Sequence, residues 1–380
     1  MARHHPEHPM RILIAPDTFK GSLAADQVAH HIAAGLLRAW PDSVITALPI
    51  ADGGEGTAQT VAARLGATWH TAPVTDANGD PLDLPFAICN GPGDAAFAIF
   101  DVAEIVGLPA ARVPVERRST RGIGQAIRAI AAHGCTTIVL GLGGSSTNDA
   151  GAGLLAELAF DFDGGAIDPV LGNLHEIVSV TRRSDAGWLD AITLIGLTDV
   201  TSPLTGPEGA SIVFGPQKGV ADVAGADALL GSFGEKIVAA IGGGDFAGAA
   251  GAAGAGAAGG IGFAVRALGG TLQPGAAFIL DTLQLDGAAF AFDWVITGEG
   301  RSDAQTLLGK GPAIVAALAR RHGVPVTLLS GAVDDNADLF RAFDGCFSVQ
   351  SAPVSLQYAM AHTGALLEAA AYNLARLKTC

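Results

Sequence analysis

Arg11-Ile12-Leu13-Ile14-Ala15-Pro16-Asp17-Thr18-Phe19-Lys20-Gly21-Ser22 is the stretch that decides how this chain folds. A β-branched apolar run, Arg11–Ala15, breaks at Pro16-Asp17. From about Ser22 to Ala39, apolar residues then recur at Val28, Ile32 and Leu36. The first pattern is that of a strand and the second that of one helix face, with Ser22 as the expected N-cap. The same order returns at Val44–Ile50, followed by a helix opening near Gly56 and carrying Val61 and Leu65. It returns again at Trp294–Thr297, Val324–Leu329 and Cys346–Val349. Strands alternating with helices imply βαβ units and a parallel sheet. The middle differs. Between Thr68 and Asp101, turn signals at Asp76–Asp80 and Asn90–Gly93 separate short strands such as Phe86–Cys89 and Ala96–Phe100, which suits an antiparallel piece. Two further strands follow, Thr136–Leu142 and Ala191–Leu197, the first leading into a helix Ala150–Leu158. The expected fold is α/β with two domains: a Rossmann-like parallel-sheet domain, 1–67 and 286–380, and a second α/β domain, 68–285, inserted in it. A hinged cleft would lie between them.

Composition agrees with that scale. The chain has 380 residues, which suits two domains at roughly 150 residues each. It is 49% hydrophobic and only 16% charged, which excludes intrinsic disorder, and its 52 Gly have no three-residue period, which excludes collagen. A net charge of −15 without a basic patch argues against nucleic acid and anionic membranes as partners. The most apolar run, Ala239–Val265, is mostly Gly and Ala and carries Asp245, so it is not a membrane span. The first ten residues hold His4, His5 and His8 but no secretory hydrophobic segment, and are read as a polar tail. Cys89, Cys135, Cys346 and Cys380 lack metal-binding spacing and are read as free thiols. A cytoplasmic, small-molecule protein is expected, as monomer or homodimer.

In an open parallel sheet, ligands bind beyond the carboxyl ends of the strands. Five such ends carry polar residues. Asp17, Lys20 and Ser22 follow the first strand at a helix start. Asp52, Gly53, Gly54 and Gly56 follow the second, where glycines permit close backbone approach to a ligand. Glu299, Asp303 and Lys310 follow Trp294–Thr297. These three ends belong to one proposed sheet and are expected to face one cleft. The inserted domain adds Gly143, Gly144, Ser145, Ser146, Asn148 and Asp149, arranged as a phosphate nest would be, and Asp199 with Lys218 further on. Carboxylates spread over several strand ends, with glycine loops and a few lysines, suit Mg²⁺ held through phosphates, and phosphoryl transfer uses that inventory. Helix capping is the alternative reading for Asp17, Asp52, Asp149, Asp199 and Asp303. A tight turn is the alternative for each glycine pair, and a solvated surface for Lys218 and Lys310.

Other chemistries fail on spacing. Gly309-Lys310 is followed by Gly311 and preceded five residues earlier by Ala304, so there is no Walker A motif. Gly143-Gly144-Ser145-Ser146 ends in Thr147 instead of the Gly of a nucleophile elbow. His175-Glu176 begins no zincin helix. No Gly-x-Gly-x-x-Gly follows the first strand, which disfavours a dinucleotide dehydrogenase.

At these segments the chain resembles the bacterial glycerate kinase family. The matching stretches are IAPDTFKGSLAADQVA (14–29), PIADGGEGT (49–57), GLGGSSTNDAGAGLL (141–155), TDVTSPLTGPEGASIVFGPQKG (198–219), GAAGGIGFA (256–264) and ITGEGRSDAQTLLGKGP (296–312). The resemblance implies ATP-dependent phosphorylation of D-glycerate with Mg²⁺, in a two-domain α/β enzyme. On that reading Lys20 neutralises a transferring phosphate or the substrate carboxylate, and Asp17 and Asp52 hold Mg²⁺ or orient the hydroxyl. Ser145 and Ser146 bind phosphate oxygens, and Asp199, Asp303 and Lys310 complete the metal and charge contacts, with Asp52 and Asp199 as the metal ligands. The chain departs from the family at Asn78-Gly79-Asp80-Pro81, where a Pro-Leu-Gly turn is usual, and at Phe100-Asp101, where Ile-Glu is typical. The 2- and 3-hydroxyls both stay open as acceptor, with the likeness favouring the 2-position. Two alternatives remain: a kinase for another small hydroxy acid such as tartronate or hydroxypyruvate, and a non-catalytic two-domain binder of small anions.

Overall fold

A computed structural model describes residues 9–50, 53–54, 56–91, 95–164, 168–242, 248–282, 290–307 and 309–378. The chain divides into two compact units, Met1–Asp52 with Ala276–Cys380, and Gly53–Gly275. It is an α/β fold in which both units carry parallel strands.

The split unit holds a five-stranded sheet ordered Gly345–Ser348, Val326–Ser330, Trp294–Thr297, Arg11–Ile14, Val44–Ala47, every neighbouring pair parallel. Its three central strands are almost wholly buried, as continuous apolar runs in a parallel sheet must be. In chain order this is the doubly wound arrangement 2-1-3-4-5, whose direction of winding reverses between Arg11–Ile14 and Trp294–Thr297. The first helix spans Ala25–Ala39 and buries Val28, Ile32 and Leu36, the periodicity visible in the sequence. It packs on the C-terminal helix Thr363–Lys378 closely enough that a Cβ on Gly35 would come 2.3 Å from Glu368 O. Ala24, not Ser22, occupies the N-cap, and Gln27 Oε1 accepts from its N–H. Ser22 sits in a tight Phe19–Leu23 turn, and its hydroxyl donates instead to Met360 O at 2.8 Å.

The continuous unit holds a six-stranded sheet ordered Thr271–Gln273, Thr193–Leu197, Thr137–Gly141, Ala96–Asp101, Pro81–Asn90, Thr68–Thr75. The last three strands pair antiparallel, as the turn signals indicated, and the first four are parallel. An amphipathic helix, Arg121–Ala132, turns Ile123, Ile127 and Ile130 into the core beside Phe86, Phe100 and Leu140. The helix expected from Ala150 starts at Ala152, because Ala150 and Gly151 both take left-handed backbone angles, φ 56° and 71°. The apolar stretch before Lys218 is itself helical, Ala210–Lys218, and runs through Pro216. The apolar segment 239–265 begins at the end of the helix Val223–Ala240 and its later described residues form turns and short helices, and no described helix is long and apolar enough to cross a membrane.

Candidate active site

The winding reversal of the split unit sets two loops side by side at carboxyl strand ends. Thr297 Oγ1 donates to Ala15 O at 2.7 Å, and Asp17 N donates to Gly298 O at 2.8 Å. A Cβ on Gly300 would lie 3.4 Å from Lys20 N, so these loops touch through main chain. Asp17 is buried, and its Oδ1 takes the N–H of Thr18 at 2.5 Å; Lys20 is exposed. The next strand end joins them: a Cβ on Gly298 would lie 1.8 Å from Leu329 O, so only glycine fits there.

Glu299 organises the loop beyond Gly298. Its carboxylate accepts from Thr306 Oγ1 at 2.6 Å and Ser302 Oγ at 3.2 Å, and Lys310 Nζ stands 3.8 Å from it. Ser302 in turn pairs with Ser330 at 2.8 Å. Burial holds the Glu299 carboxyl above its ordinary range, against the lowering effects of Thr306, Lys310 and Ser302. A carboxylate of raised basicity beside an ammonium can take a proton from an approaching hydroxyl. Asp303 is engaged locally, its Oδ1 accepting Gln305 N at 2.8 Å.

Gly53 and Gly54 belong, structurally, to the other sheet. Gly53 O accepts from Gly143 N at 2.9 Å, and Gly54 O accepts from Thr57 Oγ1 at 2.7 Å. A Cβ on Gly53, at φ 79°, would lie 2.3 Å from Leu197 O, and one on Gly143 2.4 Å from Gly54 Cα. These glycines let main chain cross directly over the ends of Thr137–Gly141 and Thr193–Leu197. The N-terminus of helix Thr57–Leu65 is taken by Asp101, almost fully buried, whose carboxylate accepts Gly56 N at 2.9 Å and Ala58 N at 3.1 Å. A buried carboxylate there satisfies otherwise orphaned N–H groups and the positive end of the helix dipole. Asp52 lies outside the described residues.

In the loop from Gly143 to Asp149, the five polar residues Ser145, Ser146, Thr147, Asn148 and Asp149 are all buried. Lys218, the last residue of its helix, is 4% exposed and donates to Ser145 Oγ at 3.0 Å and Thr147 O at 2.8 Å. At the other end of that helix, Ser211 Oγ accepts from Asn148 Nδ2 at 2.9 Å. Ser146 Oγ, Thr147 Oγ1 and Asn148 Oδ1 are buried without a hydrogen-bond partner among the described residues. Asp149 is fully buried; it accepts from Thr120 Oγ1 at 2.7 Å and Gly151 N at 3.1 Å. Burial pushes its carboxyl up to about 6. Burial lowers the Lys218 ammonium to about 7, opposed by the attraction of Asp149 and aided by the repulsion of Arg118. Gly144, at φ 75°, shapes the loop, and its O accepts from Leu108 N. Asp199, half-buried at the end of Thr193–Leu197, accepts Gly275 N at 3.2 Å.

The fold therefore gathers Asp17, Lys20, Glu299, Asp303 and Lys310 on the split unit, and Gly53, Gly54, Gly143–Ser146, Asn148, Asp149, Asp199 and Lys218 on the continuous one. The expectation that Gly53 and Gly54 extend the first sheet's end is not met, because their main chain is bonded to the second. Arg118, Thr120 and Ser211 escaped the sequence reading. Thr120 stands just before an amphipathic helix and reads as a cap, but its hydroxyl goes to a carboxylate 29 positions away, which no local spacing reveals.

Carboxylates, hydroxyls and lysines at and near the carboxyl ends of parallel strands suit a small-molecule kinase of the α/β class. A model of the glycerate kinase family matches residues 12–379. A glycerate kinase of Bacillus subtilis is 36% identical, covering 96% of this chain and 97% of that one, and glycerate 2-kinase of Escherichia coli K12 is 35% identical over 90% of each. A crystal structure from Salmonella typhimurium LT2 with a provisional glycerate kinase 2 designation superposes with a TM-score of 0.78 at 34% identity, covering 98% of both chains. The chain belongs to the glycerate kinase family.

Proposed function

We propose that this protein transfers the γ-phosphoryl group of ATP to the 2-hydroxyl of D-glycerate, giving 2-phosphoglycerate. The observation that carries phosphoryl transfer is the Ser145–Asp149 loop. Two buried hydroxyls and an amide oxygen with no partner among the described residues lie in the same loop that a buried ammonium bonds at Ser145 and Thr147. Buried polar atoms in native folds nearly always have partners, so this group calls for a polar occupant, and hydroxyls beside an ammonium suit phosphate oxygens. The acceptor and its position rest on the glycerate 2-kinase likeness. On the split unit, Lys20 and Lys310 offset developing negative charge, and Glu299 receives the hydroxyl proton. A half-buried carboxylate at a strand end suits Mg²⁺ carried mainly by phosphates and water, and on the continuous unit Asp199 would supply a carboxylate oxygen to it. Bound there, the ion would neutralise phosphate charge. Dependence on ATP suits a cytoplasmic enzyme.

The test is a coupled assay with MgATP over D-glycerate, tartronate and hydroxypyruvate, with the phosphate position of the product read by NMR. ADP release that depends on D-glycerate, with phosphate on the 2-oxygen, is expected. No release with any of these acids would overturn the reading, and phosphate on the 3-oxygen would move the acceptor.

A further inference from the structure

We infer that Arg118 is a positioning residue for the transfer, a single guanidinium that holds the Ser145–Asn148 loop and the Lys218 end of its helix in fixed register. This rests on the proposed role of that loop in holding phosphate. Arg118 Nη1 donates to Ser146 O and to Lys218 O, each at 2.9 Å, and its Nε donates to Val113 O at 2.9 Å. Three segments distant in sequence are thereby joined by one planar group. Lys218 O is among the last carbonyls of helix Ala210–Lys218, which have no partner within the helix, and a cation is favoured at that end. The Lys218 ammonium reaches back to Ser145 Oγ and Thr147 O. Arg118 therefore fixes the main chain on both sides of that contact. It also fixes the main chain that carries Ser146 Oγ, one of the buried hydroxyls left for a bound group.

The guanidinium is half-buried and keeps its place despite the neighbouring Lys218 ammonium. A lysine cannot replace it, since an ammonium on a flexible stem does not reproduce the fork that meets three carbonyls at once.

The experiment uses the full chain with Arg118→Ala, Arg118→Lys and Lys218→Met. It measures kcat and KM for ATP and D-glycerate, the denaturation midpoint, and activity with added millimolar guanidinium. Arg118→Ala is expected to lose about 10²-fold in kcat, the scale of a misplaced catalytic group, with far smaller changes in either KM. Guanidinium should restore part of that kcat to Arg118→Ala and none to Lys218→Met. Arg118→Lys should fold and remain impaired, which keeps the test decisive if Arg118→Ala is unstable. An Arg118→Lys variant with wild-type kcat, or a loss in Arg118→Ala that guanidinium leaves unchanged, would overturn the inference. Wild-type kinetics in Lys218→Met would overturn the phosphate role of the loop and the inference with it. An impaired Lys218→Met beside a fully active Arg118→Ala would overturn the inference alone.

Discussion

Two lysines of the candidate site stand in opposite surroundings, and their chemistry differs accordingly. Lys218 is enclosed and meets a hydroxyl and a carbonyl, so its ammonium is part of the fold as well as of the site. Lys20 is exposed beside the winding reversal of the split unit's sheet. Removing its charge should leave packing untouched. Lys20→Met is expected to lower kcat by about 10²–10³-fold, the range for deleting one stabiliser of transition-state charge, with an unchanged denaturation midpoint. Steady-state kinetics alongside a thermal melt check this, and near-normal turnover would remove Lys20 from the mechanism.

Among elements, the Gly/Ala tract and the Ser145–Asp149 loop explain each other. Gly256, Gly259 and Gly260 bring main chain against main chain: a Cβ on Gly259 would lie 2.0 Å from Thr147 O, and one on Gly260 2.4 Å from Ala150 Cα. Ala150 N donates to Gly259 O, closing the contact. Ala150 and Ala258, the two described non-glycine residues with left-handed angles, both lie at this seam. Such backbone persists only where the surroundings enforce it, and it clusters at functional loops. Gly259→Ala should therefore destabilise by more than about 2 kcal/mol, combining strain with overlap. Gly206→Ala, at φ 99° but facing open space, should cost only about 1–2 kcal/mol. Urea unfolding of the two variants decides it, and equal losses would show that the close approach does not matter. Asp76 and Asp80 show another local device. Arg112 pairs with both, and Asn78 Nδ2 donates to Asp76, so the Asp76–Asp80 turn is closed by its own side chains and Arg112.

For the molecule as a whole, the buried pair gives stability an unusual dependence on pH. The Asp149 carboxyl titrates near 6 in the fold against an ordinary 3.8, so between about pH 4 and 6 the folded chain keeps a proton that the unfolded chain has lost. Its contribution to stability falls as pH rises through that window. The Lys218 ammonium titrates near 7 against an ordinary 10.5, so from about pH 7 to 10.5 the unfolded chain holds the extra proton, and its contribution rises with pH. Subtracting the midpoint-against-pH curve of Asp149→Asn from that of the native chain should leave a fall between pH 4 and 6. Lys218→Met should remove the rise above pH 7. A flat Asp149→Asn difference would show that this carboxyl titrates normally.

The α/β class and its parallel strands were legible in residues 11–39 and in the repeats of that pattern, because burial on both faces and helical spacing act over neighbouring residues. Polar residues after a strand also mark its carboxyl end, and that pointed to the segments of the candidate site. Several things were not legible. Ser22 reads as a cap but bonds to a helix more than 300 positions away. Gly53 and Gly54 read as an open cradle beside the first sheet but pack against the strand ends of the continuous unit, to which they themselves belong, and Arg118 has no local signal at all. By itself the sequence determined the α/β class, its main alternation of strands and helices and the family, all of which follow from local periodicity and matched motifs. Only the tertiary structure decided which of those residues meet. Hydrogen bonds between distant segments, glycine-sized backbone contacts and the burial of Asp149 with Lys218 depend on how the strands are ordered in space, and chain spacing does not encode that order.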